Sequence, residues 1–127
     1  MINKLQDKIL VVEIAETPSQ HETGLMFRGS LEEDAGMLFK FNGSKMLNFW
    51  GMNTYIPLDI AFLNNNRIVK IGRIKPFSMR SVSSDVPCSI AIEANEDFFS
   101  SRDISVGDIV KIDGNTAVFQ KDFSAAK

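Results

Sequence analysis

The chain has 127 residues, 44% of them hydrophobic and 24% charged, which is ordinary usage for one globular domain and unlike a disordered tail, a collagen-like fibre or a long coiled coil. Fourteen basic against sixteen acidic side chains give a net charge of -2, so there is no basic excess to neutralise a phosphate backbone and no nucleic-acid partner is expected. One cysteine and one histidine exclude an internal disulfide and a Cys/His zinc cluster, so no metal site is expected.

Ile9 to Ala15 is a β-branched run with apolar residues on both pleat faces, which predicts a largely buried first strand. Thr17, Pro18 and Gln20 have the spacing of a capping box with proline at the first helical position, so a short helix begins at Pro18 and Gly24 ends or bends it. Ser30 to Glu33 repeats the cap spacing, but Gly36 follows too soon for more than a single turn. Met37 to Phe41 is the next strand. Asn42-Gly43 is a tight-turn dipeptide, so Lys45 to Tyr55 is expected to pair back as a hairpin with a somewhat long loop.

Leu58, Ile60 and Phe62 share one face of a further strand. Asn64 to Asn66 supply residues that tolerate left-handed backbone, and Arg67 to Lys75 then completes a second hairpin. Pro76 to Val86 has no sustained period and reads as a surface loop. Ser89 to Ala94 is a strand, and Asn95 or Asp97 can cap one helical turn holding Phe98 and Phe99. Val106 to Ile112, Asp113-Gly114-Asn115 and Thr116 to Phe119 read as a closing hairpin, with Ser124 to Lys127 frayed at the end. The fold class is therefore mainly β (α+β): one compact antiparallel, barrel-like domain over residues 1–127 with one or two short helices.

The chain has no Gly-rich phosphate loop, HExxH, GxSxG, paired CxxC or calcium-loop pattern, so no cofactor is expected. The start Met1 to Lys8 lacks the apolar core of a signal peptide, and no apolar run is long enough to span a bilayer, which points to a cytoplasmic protein without a membrane partner. His21 reads as a surface residue of the first helix. Cys88, between Pro87 and a strand, reads as a small buried hydrophobe rather than a nucleophile.

The polar residues that stand out lie in the apolar stretch Gly24 to Phe62. Asp59 alternates out of the Leu58, Ile60, Phe62 face and lies beside apolar surface, so it needs solvent, backbone donors or a cation. Arg28, which ends the run Leu25-Met26-Phe27, is the expected cation. Such a pair locks the helix end to the sheet as scaffold, or else it faces a pocket with Asn53 and Thr54, walled by Trp50, Met52 and Tyr55. The candidate ligand-binding residues are Arg28, Trp50, Met52, Asn53, Thr54 and Asp59. Met26, Met37, Phe39 and Phe62 are assigned to packing.

These motifs, GLMFR, then GMLF, then a tryptophan followed by NT-x-IPLDI-x-F, then an I-x-I-E strand and VGD, resemble the family known as domain of unknown function 192 from about Val11 to Val110. The family pattern falls on Gly24, Leu25, Met26, Arg28, Met37, Phe39, Trp50, Asn53, Thr54, Pro57, Leu58, Asp59, Glu93, Gly107 and Asp108. The resemblance implies a compact, mainly β fold with small helices and carries no reaction with it. Relatives commonly have a methionine and a lysine where this chain has Gly51 and Met52, so a cation found there in relatives is missing here.

Three functions follow as expectations. The first is a non-enzymatic binding module for a small polar ligand or peptide at the Arg28, Asn53, Asp59 surface. The second is a hydrolase or transferase with Asp59 as general base. The third is a structural or assembly accessory protein that pairs through a sheet edge or an apolar patch. No property of the sequence sets the oligomeric state.

Overall fold

The computed structural model describes residues 8–122. The frayed end expected at Ser124 to Lys127 lies outside the described residues. Among the described residues nine strands and two helices follow in chain order: β1 (Ile9–Ala15), α1 (Pro18–Thr23), β2 (Ala35–Lys45), β3 (Asn48–Phe49), β4 (Leu58–Asn64), β5 (Arg67–Ile74), β6 (Val82–Ser83), β7 (Cys88–Asn95), α2 (Phe98–Ser101), β8 (Ile109–Asp113) and β9 (Thr116–Gln120). Seven strands close a barrel in the order β1-β2-β7-β4-β5-β8-β9, with β9 returning to β1, while β3 and β6 form a separate two-stranded sheet. All barrel pairings are antiparallel except β1 with β2. The mainly β, barrel-like class read from the sequence is therefore correct, with one parallel pair. Among the described residues no helix is long and apolar enough to cross a membrane.

Local chemistry explains the elements that the sequence predicted. The Thr17 side chain accepts from the Gln20 backbone N–H and the Gln20 side chain accepts from the Thr17 N–H, which satisfies two orphan donors at the start of α1. Asn65 and Asn66 sit at φ 53° and 63° between the paired residues Asn64 and Arg67, the left-handed geometry that a two-residue hairpin loop needs. Gly114 at φ 60° does the same between Asp113 and Thr116.

Two strand assignments change. Asn42-Gly43 is no hairpin turn: β2 continues through it to Lys45, pairs with β1 and β7, and shifts register against β7 between Lys40 and Lys45. The left-handed Gly43, at φ 76°, serves a bulge instead of a reversal. The first strand is half-buried rather than buried on both faces, because Val11 and Glu13 on the outer pleat face solvent. The strand covered on both faces is β4, where Leu58 through Leu63 are all buried.

That double covering organises the core into two layers. Leu10, Val12, Leu38, Ala61, Leu63, Ile68, Ile92, Ala94, Val110, Ala117 and Phe119 come from all seven barrel strands and fill the interior, with Phe98 and Phe99 of α2 packed onto them. Met37, Phe39, Leu58, Ile60, Phe62, Ile74, Cys88 and Ala91 point out of the barrel into a second cluster with Leu25, Leu47 and Ile56. The outer layer therefore consists of the irregular segments around residues 24–31 and 46–56, laid over the outer face of β2, β7, β4 and β5. The expected loop Pro76 to Val86 contributes β6 to this layer by pairing Val82 with Phe49 and Ser83 with Asn48.

The barrel wall is tight where β2 crosses β7. A Cβ on Gly36 would lie 2.3 Å from the Glu93 carbonyl oxygen and 2.8 Å from Leu10 Cδ2, whereas one on Gly29 would meet nothing. We expect Gly36→Ala to cost about 3 kcal/mol of stability and Gly29→Ala less than about 0.5 kcal/mol, as read from urea unfolding midpoints.

Candidate functional site

The two charged residues singled out in the sequence do not meet. Both guanidinium nitrogens of Arg28 donate to the Glu13 carboxylate on β1, with Nη2 to Oε1 at 2.9 Å. This fork holds the Glu13 carboxyl below its ordinary range. Asp59 instead accepts from Arg73, Nε to Oδ1 at 2.8 Å and Nη2 to Oδ2 at 3.2 Å, and from the Asp97 backbone N–H at 2.8 Å. The expected Arg28–Asp59 pair is thus replaced by two separate pairs. The reason is register: Asp59 lies opposite Arg73 in the β4–β5 ladder and so meets a cation supplied by its neighbouring strand.

Asp59 is thus bound to the neighbouring strand and to the start of α2. It is 5% exposed and points with Ala61 and Leu63 to the interior face, at the end of the barrel where α2 packs. Arg73 Nη2 also donates to Asp97 Oδ1 at 2.6 Å, which explains why Asp97, at φ 69°, occupies the N-cap position of α2 without giving a side-chain cap. The acid, the guanidinium and the start of α2 form one hydrogen-bonded knot.

Trp50, Met52 and Thr54 do come together. With His21, Glu22, Thr23, Gly24, Leu25, Met26, Phe39, Phe41, Asn48, Phe49 and Glu93 they line a cleft of about 310 Å³ between α1, the outer layer and the barrel wall. Asn53 contributes backbone: its φ is 54°, and its carbonyl accepts from the Phe27 N–H at 2.8 Å, which ties the two covering segments together. The Thr54 hydroxyl donates to the Met52 carbonyl at 3.1 Å. Tyr55, expected as a wall, lies outside the cleft; it is half-exposed and packs on the Phe77 ring with centroids 5.3 Å apart. Gly51 lets the loop close, since a Cβ there would lie 2.0 Å from the Lys75 carbonyl oxygen. Met26 and Phe39, assigned to packing, also line the cleft.

Two residues of the cleft have roles that sequence reading missed. His21 is not a free surface residue: Nε2 lies 3.0 Å from the Ala15 carbonyl and 2.9 Å from the Lys40 carbonyl, so that nitrogen carries a proton and bridges β1 and β2. Its ring lies 4.1 Å from that of Phe41, between centroids. Phe39, Phe41 and Phe49 continue this wall, with Phe49 edge-on to Phe39 at 4.9 Å and to Phe41 at 6.5 Å.

The second is Glu93. Ile92 and Ala94 face the barrel interior, so strand alternation turns Ala91 and Glu93 outward to the covered side. Glu93 is 5% exposed, and no donor or cation among the described residues reaches its carboxyl. Burial alone pushes its pKa up from 4.5 to about 8, so the carboxyl is predominantly protonated at neutral pH. The signal in the sequence was an acid inside the otherwise apolar run Ile90-Ala91-Ile92-Glu93-Ala94, a residue type that strands rarely bury without a partner. Cys88, as expected, is buried with its thiol pushed up by burial, which suits packing and not nucleophilic attack.

Comparison with known proteins places these residues in a wider setting. Residues 1–112 match the family model DUF192, described as "Uncharacterized ACR, COG1430". A solved structure from Sinorhizobium meliloti 1021, described as a candidate transcription regulator, is similar at 36% identity and a TM-score of 0.77, covering 79% of each chain. A protein of unknown function from Novosphingobium aromaticivorans DSM 12444 is similar at 32% identity and a TM-score of 0.78, covering 81% of this chain and 75% of that one. No curated protein matches.

Two outcomes test the separate roles of the acids. Asp59→Ala leaves the Asp97 N–H without its acceptor while half-exposed Arg73 keeps Asp97 and Glu96, and is expected to cost about 1 to 2 kcal/mol. Arg28→Ala breaks an exposed pair and is expected to cost less than about 1 kcal/mol, both measured by chemical denaturation. For Glu93 the folded state holds one more proton than the unfolded state between pH 4.5 and about 8. Stability therefore falls as pH rises through that window, by roughly 5 kcal/mol in all, and is flat above it. In Glu93→Gln this slope should vanish; an equal slope in both proteins, followed by calorimetric Tm against pH, would assign it to another group.

Proposed function

The chain belongs to the DUF192 family, and from that premise we propose that it is a non-enzymatic binding module that takes a small ligand into the cleft between α1 and the outer face of the barrel. The observation that carries this reading is Glu93, a buried carboxyl that meets no partner among the described residues, at a cleft of small-molecule size. Folding gains nothing from such a group, and its cost makes sense where a ligand completes its hydrogen bonding. Trp50, Met52 and Thr54 form part of the wall, while Arg28 and Asp59 hold the frame.

A hydrolase or transferase with Asp59 as base draws little support, because both Asp59 oxygens already accept hydrogen bonds from Arg73 and Asp97. The regulator description belongs to the Sinorhizobium protein. Nucleic-acid binding by this chain is disfavoured by its net charge of -2 and by helices of six and four residues, which are short for a recognition helix. An assembly role draws on exposed Tyr55 and Phe77, but no partner chemistry accompanies that pair.

A fragment screen observed by protein NMR tests the reading. Bound fragments should shift the resonances of Trp50, Thr54 and Glu93 and leave those of Arg28 and Asp59 in place. A ligand present at about 100 times its Kd should add roughly 2.7 kcal/mol of stability, and Trp50→Ala should lose at least about tenfold in affinity (1.4 kcal/mol) through lost wall contacts. Fragments that perturb only the Arg28 or Asp59 surroundings would refute it.

A further inference from the structure

We infer that the ligand of this cleft is an organic cation bearing an ammonium group, which pairs with the Glu93 carboxylate and lies against the aromatic wall that Phe49 and Trp50 contribute. The inference rests on the ligand-binding reading above and narrows it to one chemical class. It starts from the inventory of charge around Glu93. Of the residues lining the cleft, only His21 and Glu22 on α1 and Glu93 on β7 are titratable, and none is a lysine or arginine. The elements packed against Glu93 otherwise present aromatic, thioether, amide and hydroxyl side chains. Beside this wall, Lys45 Nζ lies 5.1 Å from the centroid of the Phe41 ring on β2.

An anionic ligand would enter a cleft with two carboxyls and no basic side chain beyond a histidine already engaged by two carbonyls through Nε2. An ammonium finds the opposite. It supplies the donors that Glu93 lacks, and aromatic faces attract a cation through their negative quadrupole. Lys45 over Phe41 illustrates that attraction in the same wall. A neutral ligand with a carbonyl is the strongest competitor, since it would use the protonated carboxyl as a donor and leave the aromatic faces with no charge to meet.

Binding of the ammonium is coupled to release of the Glu93 proton. Burial holds the carboxyl protonated at neutral pH, with a pKa of about 8. When the ammonium docks, the carboxyl O–H gives its proton to solvent buffer and the carboxylate accepts N–H donors from the ligand. Charge and protons balance, with one proton released per cation bound. Affinity should therefore rise about tenfold per pH unit below pH 8 and level off above it. A neutral carbonyl ligand would show the reverse, with affinity constant below pH 8 and falling above it.

The test uses three probes that share one ring: benzylamine as its ammonium, benzyl alcohol and benzoate. Each is titrated into the full chain by NMR and calorimetry at pH 6.5, 7.5 and 8.5. The expected result is binding of benzylammonium at least about tenfold tighter than the other two, with release of close to one proton at pH 6.5 and about tenfold tighter binding at pH 7.5 than at 6.5. Glu93→Gln should abolish the pH dependence and most of the preference. The wild-type pH series reads the same coupling should that variant fail to fold. Equal or tighter binding of benzyl alcohol or benzoate, or a flat pH profile for the amine, overturns the inference and leaves the cleft as a site for another ligand class. If none of the three shifts Trp50 and Thr54 at millimolar concentration, the inference and the binding reading fall together.

Discussion

A sheet covered on both faces leaves its polar groups no water to fall back on, and this constraint decides the character of β4 and β7. Each carries one acid. Asp59 turns inward at the end of the barrel and is met by Arg73 and the Asp97 N–H. Glu93 turns outward beneath the covering segments and meets no donor or cation among the described residues. The two acids have similar exposure and opposite fates. The first joins β4, β5 and the start of α2 through its hydrogen bonds. The second holds its proton, because neutralising a buried acid costs less than leaving its charge dry.

Retaining the second acid is expensive at alkaline pH for a domain whose whole margin is expected to be about 5 to 15 kcal/mol. The covering layer shows how the fold tolerates it. That layer has only the two-residue strands β3 and β6 as regular structure, and it is held by scattered backbone bonds such as Phe27 N–H to the Asn53 carbonyl and Gly51 N–H to the Ser78 carbonyl. Segments of this kind rest on a rigid wall without filling it. The gap they leave is bounded by aromatic rings on the barrel side and by α1 on the other. The cleft therefore belongs to the second layer, laid against the closed barrel.

His21 joins the two parts. A protonated Nε2 between the carbonyls of Ala15 and Lys40 pins the end of a six-residue helix across a parallel strand pair. The helix has no buried residue of its own to hold it by hydrophobic contact. Its position, and with it one side of the cleft, depends on capping at Thr17, on this histidine and on the turn at Gly24.

Much of the fold was legible in the residues. Capping chemistry located α1, paired asparagines located the β4–β5 hairpin, Asp-Gly located the last one, and two phenylalanines after Asp97 located α2. Local backbone energetics are strong at such positions and need no distant partner. The same reasoning failed at Asn42-Gly43, since a left-handed glycine suits a bulge as well as a turn and only long-range pairing chooses between them.

The candidate site divides along the same line. Residue type and alternation alone determined that Asp59 required a partner, that Trp50, Met52 and Thr54 belonged to an unusual apolar segment, and that Cys88 was packing. Tertiary structure alone decided the partners. A regular hairpin around Asn65 and Asn66 would place Asp59 opposite Gly72; the bulge between Phe62 and Leu63 moves the register by one residue and brings Arg73 there. Arg28 was thereby free for Glu13. Glu93 stood out in the sequence only as an acid in an apolar run, and the covering layer decided how far it is desolvated, because solvation is a property of the assembled fold and not of the local chain.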